Sequence, residues 1–503
     1  MKTETVLSSE ALETIHKRLG TGGSLSSAEA SLSLIDHRED HVWIWNETDR
    51  SLLVAVTGSS SGPGADVQTV SLSQCPVHEV TGLSVSRSGR WVSLWGTRGV
   101  TLVQMPPRGG VGGRFGGGRE KLTARSQVLD TGDQEVQGVS WHPGSAAECH
   151  LVILTRSGVL SLYNVMEIED RMLVLKCPLS RGGNSKVAAA LGEVAVDFCF
   201  GSQCGEAGVW PLFVILASMD VFCVSAGLAE DEWTVEGPLE VKPPLEDNYS
   251  DGEACSVAEV GGVLAMATVT GILYHAIILG GDTTSLHVYE RVELETSAVS
   301  SSHDDVFSCP LRLVTPGPGV HMRPGYLASH PAGLHSVSLT MVSVLKQAEL
   351  AASAPDLDSG SSSVEHLVCT RPAPSSSPAP VLGACMASPP ATVLCLLSSN
   401  SLSCLPVKSP ASPLPALLSD DAEEASQEDT RHHHADSQLL ALLARKSTQP
   451  LLKAAPSTEL TPALTLELLT GATGTLRREY MARLEVMAIV ILITRILFDL
   501  QRT

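Results

Sequence analysis

The chain has 503 residues, of which 43% are hydrophobic and 18% charged, a balance that builds a large folded core and excludes a mainly disordered chain. Its 34 Lys and Arg stand against 55 Asp and Glu, a formal charge of −21, which is the wrong sign for a protein that neutralises nucleic-acid phosphates by itself. Aromatic residues make up only 4%, and that disfavours base-stacking platforms for single strands.

Residues 1–30 read as an N-terminal helical or flexible segment. No apolar core follows Lys2 in MKTETVLSSEALETIHKRLG, so a secretory signal is not expected and a cytosolic or nuclear location is. Twelve cysteines are scattered between Cys75 and Cys404 and never form a Cys-x-x-Cys pair. Free thiols in a reducing compartment are expected, with no zinc knuckle. Cys395, inside the apolar string from Val393 to Leu397, reads as a small buried hydrophobe.

From residue 31 the sequence repeats. Seven windows superpose: HVWIWNETDRSLLVAV from His41, RWVSLWGTRGVTLVQM from Arg90, CHLVILTRSGVLSLYN from Cys149, PLFVILASMDVFCVSA from Pro211, GVLAMATVTGILYHAI from Gly262, PGYLASHPAGLHSVSL from Pro324 and TVLCLLSSNSLSCLPV from Thr392. Each is an apolar strand, a small-polar turn and a second apolar strand. The tenth positions are Arg50, Gly99, Gly158, Asp220, Gly271, Gly333 and Ser401, mostly residue types that tolerate tight-turn backbone angles.

Short strands upstream of several windows, LSVSRSG, GVSWHPG and VAVDFCFG, supply the innermost strand of each copy. A lone hairpin is only marginally stable in water, so the copies must pack on one another, and closing them into a ring leaves only short, protected edges. An all-β fold is predicted, a seven-bladed β-propeller over residues 31–415, followed by a short α-helical C-terminal segment. The competing arrangement is two stacked β-sandwiches.

The insertions differ in composition. Residues 106–119, PPRGGVGGRFGGGR, are predicted to form a mobile loop too glycine-rich to pack. Residues 351–364, 371–380 and 406–415 read as exposed connectors. Residues 416–435 form an acidic and His-rich linker, and 436–503 turn helical in period, with Leu439, Leu440, Leu442 and Leu443 on one side. The apolar run from Val486 to Thr494 is stopped by Arg495, short of the roughly 18–20 residues that span a bilayer.

A search for chemistry finds no Gly-x-Ser-x-Gly elbow, His-Glu-x-x-His or Walker lysine. Arg108, Arg114 and Arg119 interleave with glycine, but three arginines on so acidic a chain do not make an RNA-binding segment. His432, His433 and His434 are adjacent and cannot all converge on one ion from a regular element. Trp141, His142 and Pro143 read as a strand-end turn with a packing role. Glu246, Asp247 and Asp251, in PPLEDNYSDGEACSV, are the carboxylates a glycosidic acid–base pair would need; without nearby tryptophans they read as an ordered inter-blade loop. The expectation is therefore no catalytic residue, no cofactor, no metal and no enzyme activity, with unknown partner-binding residues. The alternative is a propeller-type hydrolase with acidic active-site loops.

Ordered segments carry a resemblance: GVWPLFVIL at 208–216, GPLEVKPPLEDNYSDGEACSV at 237–257, LAMATVTGILYHAIIL at 264–279, HVYERVELE at 287–295, FSCPLRL at 307–313, AGLHSVSLT at 332–340 and VEHLVCTRPAP at 364–374. Over most of residues 30–485 the chain resembles the nucleoporin 88 family, β-propeller nucleoporins of the cytoplasmic face of the nuclear pore. The resemblance implies a seven-bladed propeller that docks the C-terminal domain of nucleoporin 98. It also implies a helical, coiled-coil-forming region that joins nucleoporins 214 and 62. The assembly would serve mRNA and protein export as a scaffold, without nucleic-acid contact or a membrane span. LRREYMARLEV resembles the start of that coiled coil, but MAIVILITRILFDLQRT departs from the charged heptads that a coiled-coil seam requires.

Overall fold

A computed structural model describes residues 6–19, 32–58, 67–109, 113–132, 134–167, 172–179, 194–203, 208–229, 232–242, 252–280, 283–294, 309–317, 320, 322–331, 333–351, 361–370, 380–388 and 391–407. The chain divides into two units, 1–411 and 412–503, and every described residue lies in the first. The acidic linker, His432–His434 and the helical segment lie outside the described residues, as do Glu246, Asp247 and Asp251.

The strands group into seven blades. Blade one holds β1 (Ile35–Arg38), β2 (His41–Asn46), β3 (Ser51–Val56) and β4 (Val67–Leu72); blade two holds β5 (Gly82–Val85), β6 (Trp91–Gly96), β7 (Gly99–Gln104) and β8 (Lys121–Leu129). Blade three runs through β9 (Val136–Trp141), β10 (His150–Thr155), β11 (Val159–Asn164) and β12 (Leu173–Pro178), and blade four through β13 (Ala195–Phe200), β14 (Val209–Leu216), β15 (Val221–Gly227) and β16 (Thr234–Glu236). Blade five is β18 (Ala254–Val260), β19 (Val263–Thr268), β20 (Ile272–Leu279) and β21 (Ser285–Glu293), with the short β17 (Glu240–Lys242) added parallel to β21 at its edge. Blade six is β22 (Arg312–Val314), β23 (Gly325–His330), β24 (Gly333–Ser338) and β25 (Ser363–Cys369), and blade seven is β26 (Val381–Ala387), β27 (Thr392–Leu397) and β28 (Leu402–Pro406).

Within a blade the strands pair antiparallel in chain order, and each repeated window is the middle hairpin of one blade. Those strands are mostly apolar because neighbouring blades cover both faces: β2, β3, β6 and β19 are buried at every position. β8, farther out, alternates exposed and buried residues with period two. The turns reach positive φ at Arg50, Gly158 and Gly271, with Met219 and Asn400 taking that role one residue before Asp220 and Ser401.

The core is correspondingly divided. Apolar clusters fill the seams between consecutive blades, one joining blades seven, one and two and others each joining two neighbours. This arrangement is a ring of blades and excludes the stacked sandwiches. The innermost strands meet around it, with Leu34 N donating to Leu382 O at 2.9 Å where blade one meets blade seven.

Helix α1 (Ser9–Leu19) completes the closure. Ser8 caps it, its Oγ accepting from Ala11 N at 3.1 Å, and Ala11, Ile15 and Leu19 are buried in the first cluster. Blade seven has three strands among the described residues, and α1 covers its outer strand: Leu402 N donates to His16 Nε2 at 3.0 Å, and Asn400 Nδ2 to Leu19 O at 3.1 Å.

Two expectations are corrected. The glycine-rich loop packs over its described residues 113–119. Phe115 is 1% exposed against Trp43, ring centroids 5.3 Å apart, and the buried Gln68 amide grips the loop, Oε1 accepting from Phe115 N at 2.9 Å and Nε2 donating to Arg119 O at 2.6 Å. Gly116, Gly117 and Gly118 sit at φ +56°, +75° and +84°, so the glycines serve a left-handed turn that inserts Phe115. Second, the stretch read as a connector from 351 to 364 is shorter at both ends, with 352–360 outside the described residues: α2 (Thr340–Ala351) buries Met341 and Val342 against blade five, and β25 begins at Ser363.

Candidate functional site

The innermost strands line a channel whose charged groups are those a propeller enzyme would use. Asp36, on β1, has Oδ1 accepting from His37 N at 2.8 Å and Oδ2 from Val85 N at 3.0 Å, with Arg38 Nη1 3.0 Å from Oδ1. Asp197, on β13, has Oδ1 accepting from Phe198 N at 2.9 Å, and Oδ2 from Ser256 Oγ at 2.6 Å and Val257 N at 3.1 Å. Ser256 Oγ in turn accepts from Leu313 N at 3.1 Å, so one carboxylate ties blades four, five and six together.

Burial pushes both aspartates above the ordinary carboxylate range, against the opposing pull of Arg38 on Asp36 and of Arg312 on Asp197. Arg312 lines both neighbouring cavities, one of about 310 Å³ at Asp197 and one of about 170 Å³ at Asp36. Its guanidinium lies 5.4 Å from the Trp95 ring centroid. The two carboxylates line different cavities, and their oxygens are occupied by donors from neighbouring blades. This is the chemistry of fastening.

A constellation that sequence reasoning missed has the form of an acid–base relay. His275 Nδ1 lies 2.8 Å from Glu290 Oε2, His275 Nε2 lies 2.6 Å from Tyr326 Oη, and Glu290 accepts from Ser362 N at 2.9 Å and Ser362 Oγ at 2.7 Å. Burial pushes the Glu290 carboxyl up, but hydrogen bonds from His275 and Ser362 outweigh it and hold it below the ordinary value. His275 and Tyr326 are 0% and 1% exposed, so no substrate reaches them, and the chain of bonds joins blade five to blade six. Only the register pairing His275 with Glu290 across β20 and β21 reveals it.

The glycine-rich loop forms the outer candidate. Between blades one and two a cleft of about 640 Å³ has Arg90, Arg108 and Arg125 around Met105, Pro107 and Phe115. Arg108 Nη1 pairs with Glu39 at 2.7 Å, its guanidinium lies 5.2 Å from the Phe115 centroid, and its Nε and Nη2 have no protein partner among the described residues. Those two nitrogens are buried, so the guanidinium braces the loop and is not presented to the cleft. The expected packing role of Trp141 and His142 holds: Trp141 Nε1 donates to Ser84 O at 3.1 Å, and buried His142 reaches Ala226 O at 3.2 Å. No helix among the described residues is long and apolar enough to cross a membrane.

Comparison with known proteins follows this architecture. The family model described as "Nup88: Nuclear pore component" matches residues 5–495. A chain of the Chaetomium thermophilum heterotrimeric Nup82 NTD–Nup159 tail–Nup145N APD crystal structure is similar at a TM-score of 0.61 and 12% identity, covering 81% of this chain and 100% of that one. A chain of the yeast Nup82–Nup159–Nup116 complex is similar at a TM-score of 0.50 and 12% identity, covering 75% of this chain and 98% of that one.

Proposed function

The chain belongs to the Nup88 family of nuclear pore components, and from that premise we propose that it is a non-enzymatic scaffold of the cytoplasmic face of the pore, which docks the C-terminal domain of nucleoporin 98 on its propeller and supports export of mRNA and protein. The match over residues 5–495 carries this reading. The two similar chains come from complexes with Nup159 and with Nup145N or Nup116, so the fold is one on which other nucleoporins assemble. The channel geometry supports the absence of a reaction, because its carboxylates are engaged in blade-to-blade bonds. Contacts with nucleoporins 214 and 62 would belong to heptads beyond the propeller, and the apolar tail from Met487 does not continue such heptads; docking is therefore assigned to the propeller.

The location is tested with the fluorescently tagged full chain and immunogold labelling. Expected is a nuclear rim with gold on the cytoplasmic side of the pores. A diffuse signal, or gold on the nuclear side, contradicts the reading.

A further inference from the structure

Three imidazoles meet at the β23–β24 turn of blade six. His330 and His335 flank the turn, each 3% exposed, and the exposed His366 comes from β25. One ring nitrogen of each lies within 4.8 Å of the others. His330 Nε2 and His335 Nδ1 are 3.1 Å apart, close to the ~3.3 Å between two nitrogens bound tetrahedrally to zinc at about 2.0–2.1 Å. The His335 and His366 rings are stacked, 4.2 Å apart at 14°, so the exposed His366 ring must turn out of the stack for its in-plane lone pair to meet the same ion as His335. A Cβ on Gly333 would stand 2.8 Å from His366 Nε2, so glycine at the turn is what admits the third ring.

We propose that His330, His335 and His366 form a zinc site that fastens the hairpin turn to the outermost strand of blade six. An all-imidazole set excludes calcium and magnesium, which want oxygen ligands, and suits zinc, whose filled d shell imposes no geometry on three imperfectly disposed rings. His366, on the exposed side, leaves a fourth position open to water. Binding exchanges the His330–His335 hydrogen bond, and the 2.9 Å bond from the His366 ring to Val368 O, for metal–nitrogen bonds. The ligands stand five and 31 residues apart, a spacing that no zinc pattern in the sequence marks, and the site departs from the expectation of no metal.

The full chain and His366→Gln are stripped with chelator, dialysed against zinc chloride and assayed for bound zinc by mass spectrometry, with circular dichroism melting to verify that the variant folds. His366 is exposed on an edge strand, so folding survives its replacement. His330→Gln provides a second comparison. The expected result is one zinc per chain more in the wild type than in either variant, and a tetrahedral cobalt absorption band in the wild type alone. Equal zinc content in all three, bound elsewhere or not at all, overturns the proposal.

Discussion

Acidification from pH 7 to pH 5 is expected to remove several kcal/mol of stability from the propeller. Burial pushes His37 and His142 down to about 4, whereas in the unfolded chain each titrates near 6.5. The unfolded state therefore binds more protons between pH 6.5 and 4. Stability rises with pH through that window, is fully present above 6.5 and is lost as pH falls toward 4.

A histidine shifted from about 6.5 to about 4 accounts for about 2 kcal/mol at pH 5. Two such sites, about 4 kcal/mol together, make a large part of the roughly 5–15 kcal/mol that holds a domain together. Asp36 and Asp197 act in the opposite sense. Their raised folded values favour the protonated fold, a contribution present at acid pH and lost as pH rises, which offsets part of the loss near pH 4. Urea unfolding midpoints at pH 7.5, 6.5, 5.5 and 5.0 should fall steadily, and His142→Gln should flatten the slope. A midpoint constant over that range contradicts the assignment of these rings as buried and neutral.

The second large effect is at Asp197. Replacing it by alanine is expected to cost about 3 kcal/mol, because the Ser256 hydroxyl and two backbone N–H groups lose their acceptor and Arg312 loses its counter-charge deep in the channel. Asp197→Asn keeps one carbonyl oxygen and should cost about half as much. Denaturant unfolding of the three proteins decides it. An alanine variant within about 0.5 kcal/mol of wild type would show that the blades are not fastened there.

Much of the propeller was legible in the sequence, for a physical reason. Its middle strands are covered on both faces, so HVWIWN and VLAMAT are buried throughout and mostly apolar, and their turns need residues tolerant of positive φ. Such features repeat wherever a blade repeats. What was not legible depends on partners distant in sequence. The loop after Pro106 looks unstructured until Gln68, 47 residues away, grips Phe115. Helix α2 follows a hairpin without a break, and its apolar residues Met341 and Val342 gain meaning only against blade five. The relay from Tyr326 to Glu290 and the three histidines of blade six arise from cross-strand register, which composition and spacing do not encode.

On the proposed function, this ring of blades is a platform on which another nucleoporin docks. The most direct test mixes the full chain with the C-terminal domain of nucleoporin 98 and measures the mass of the eluting species by size-exclusion chromatography with light scattering. A one-to-one complex is the predicted result; separate elution of the two proteins at micromolar concentration would contradict it.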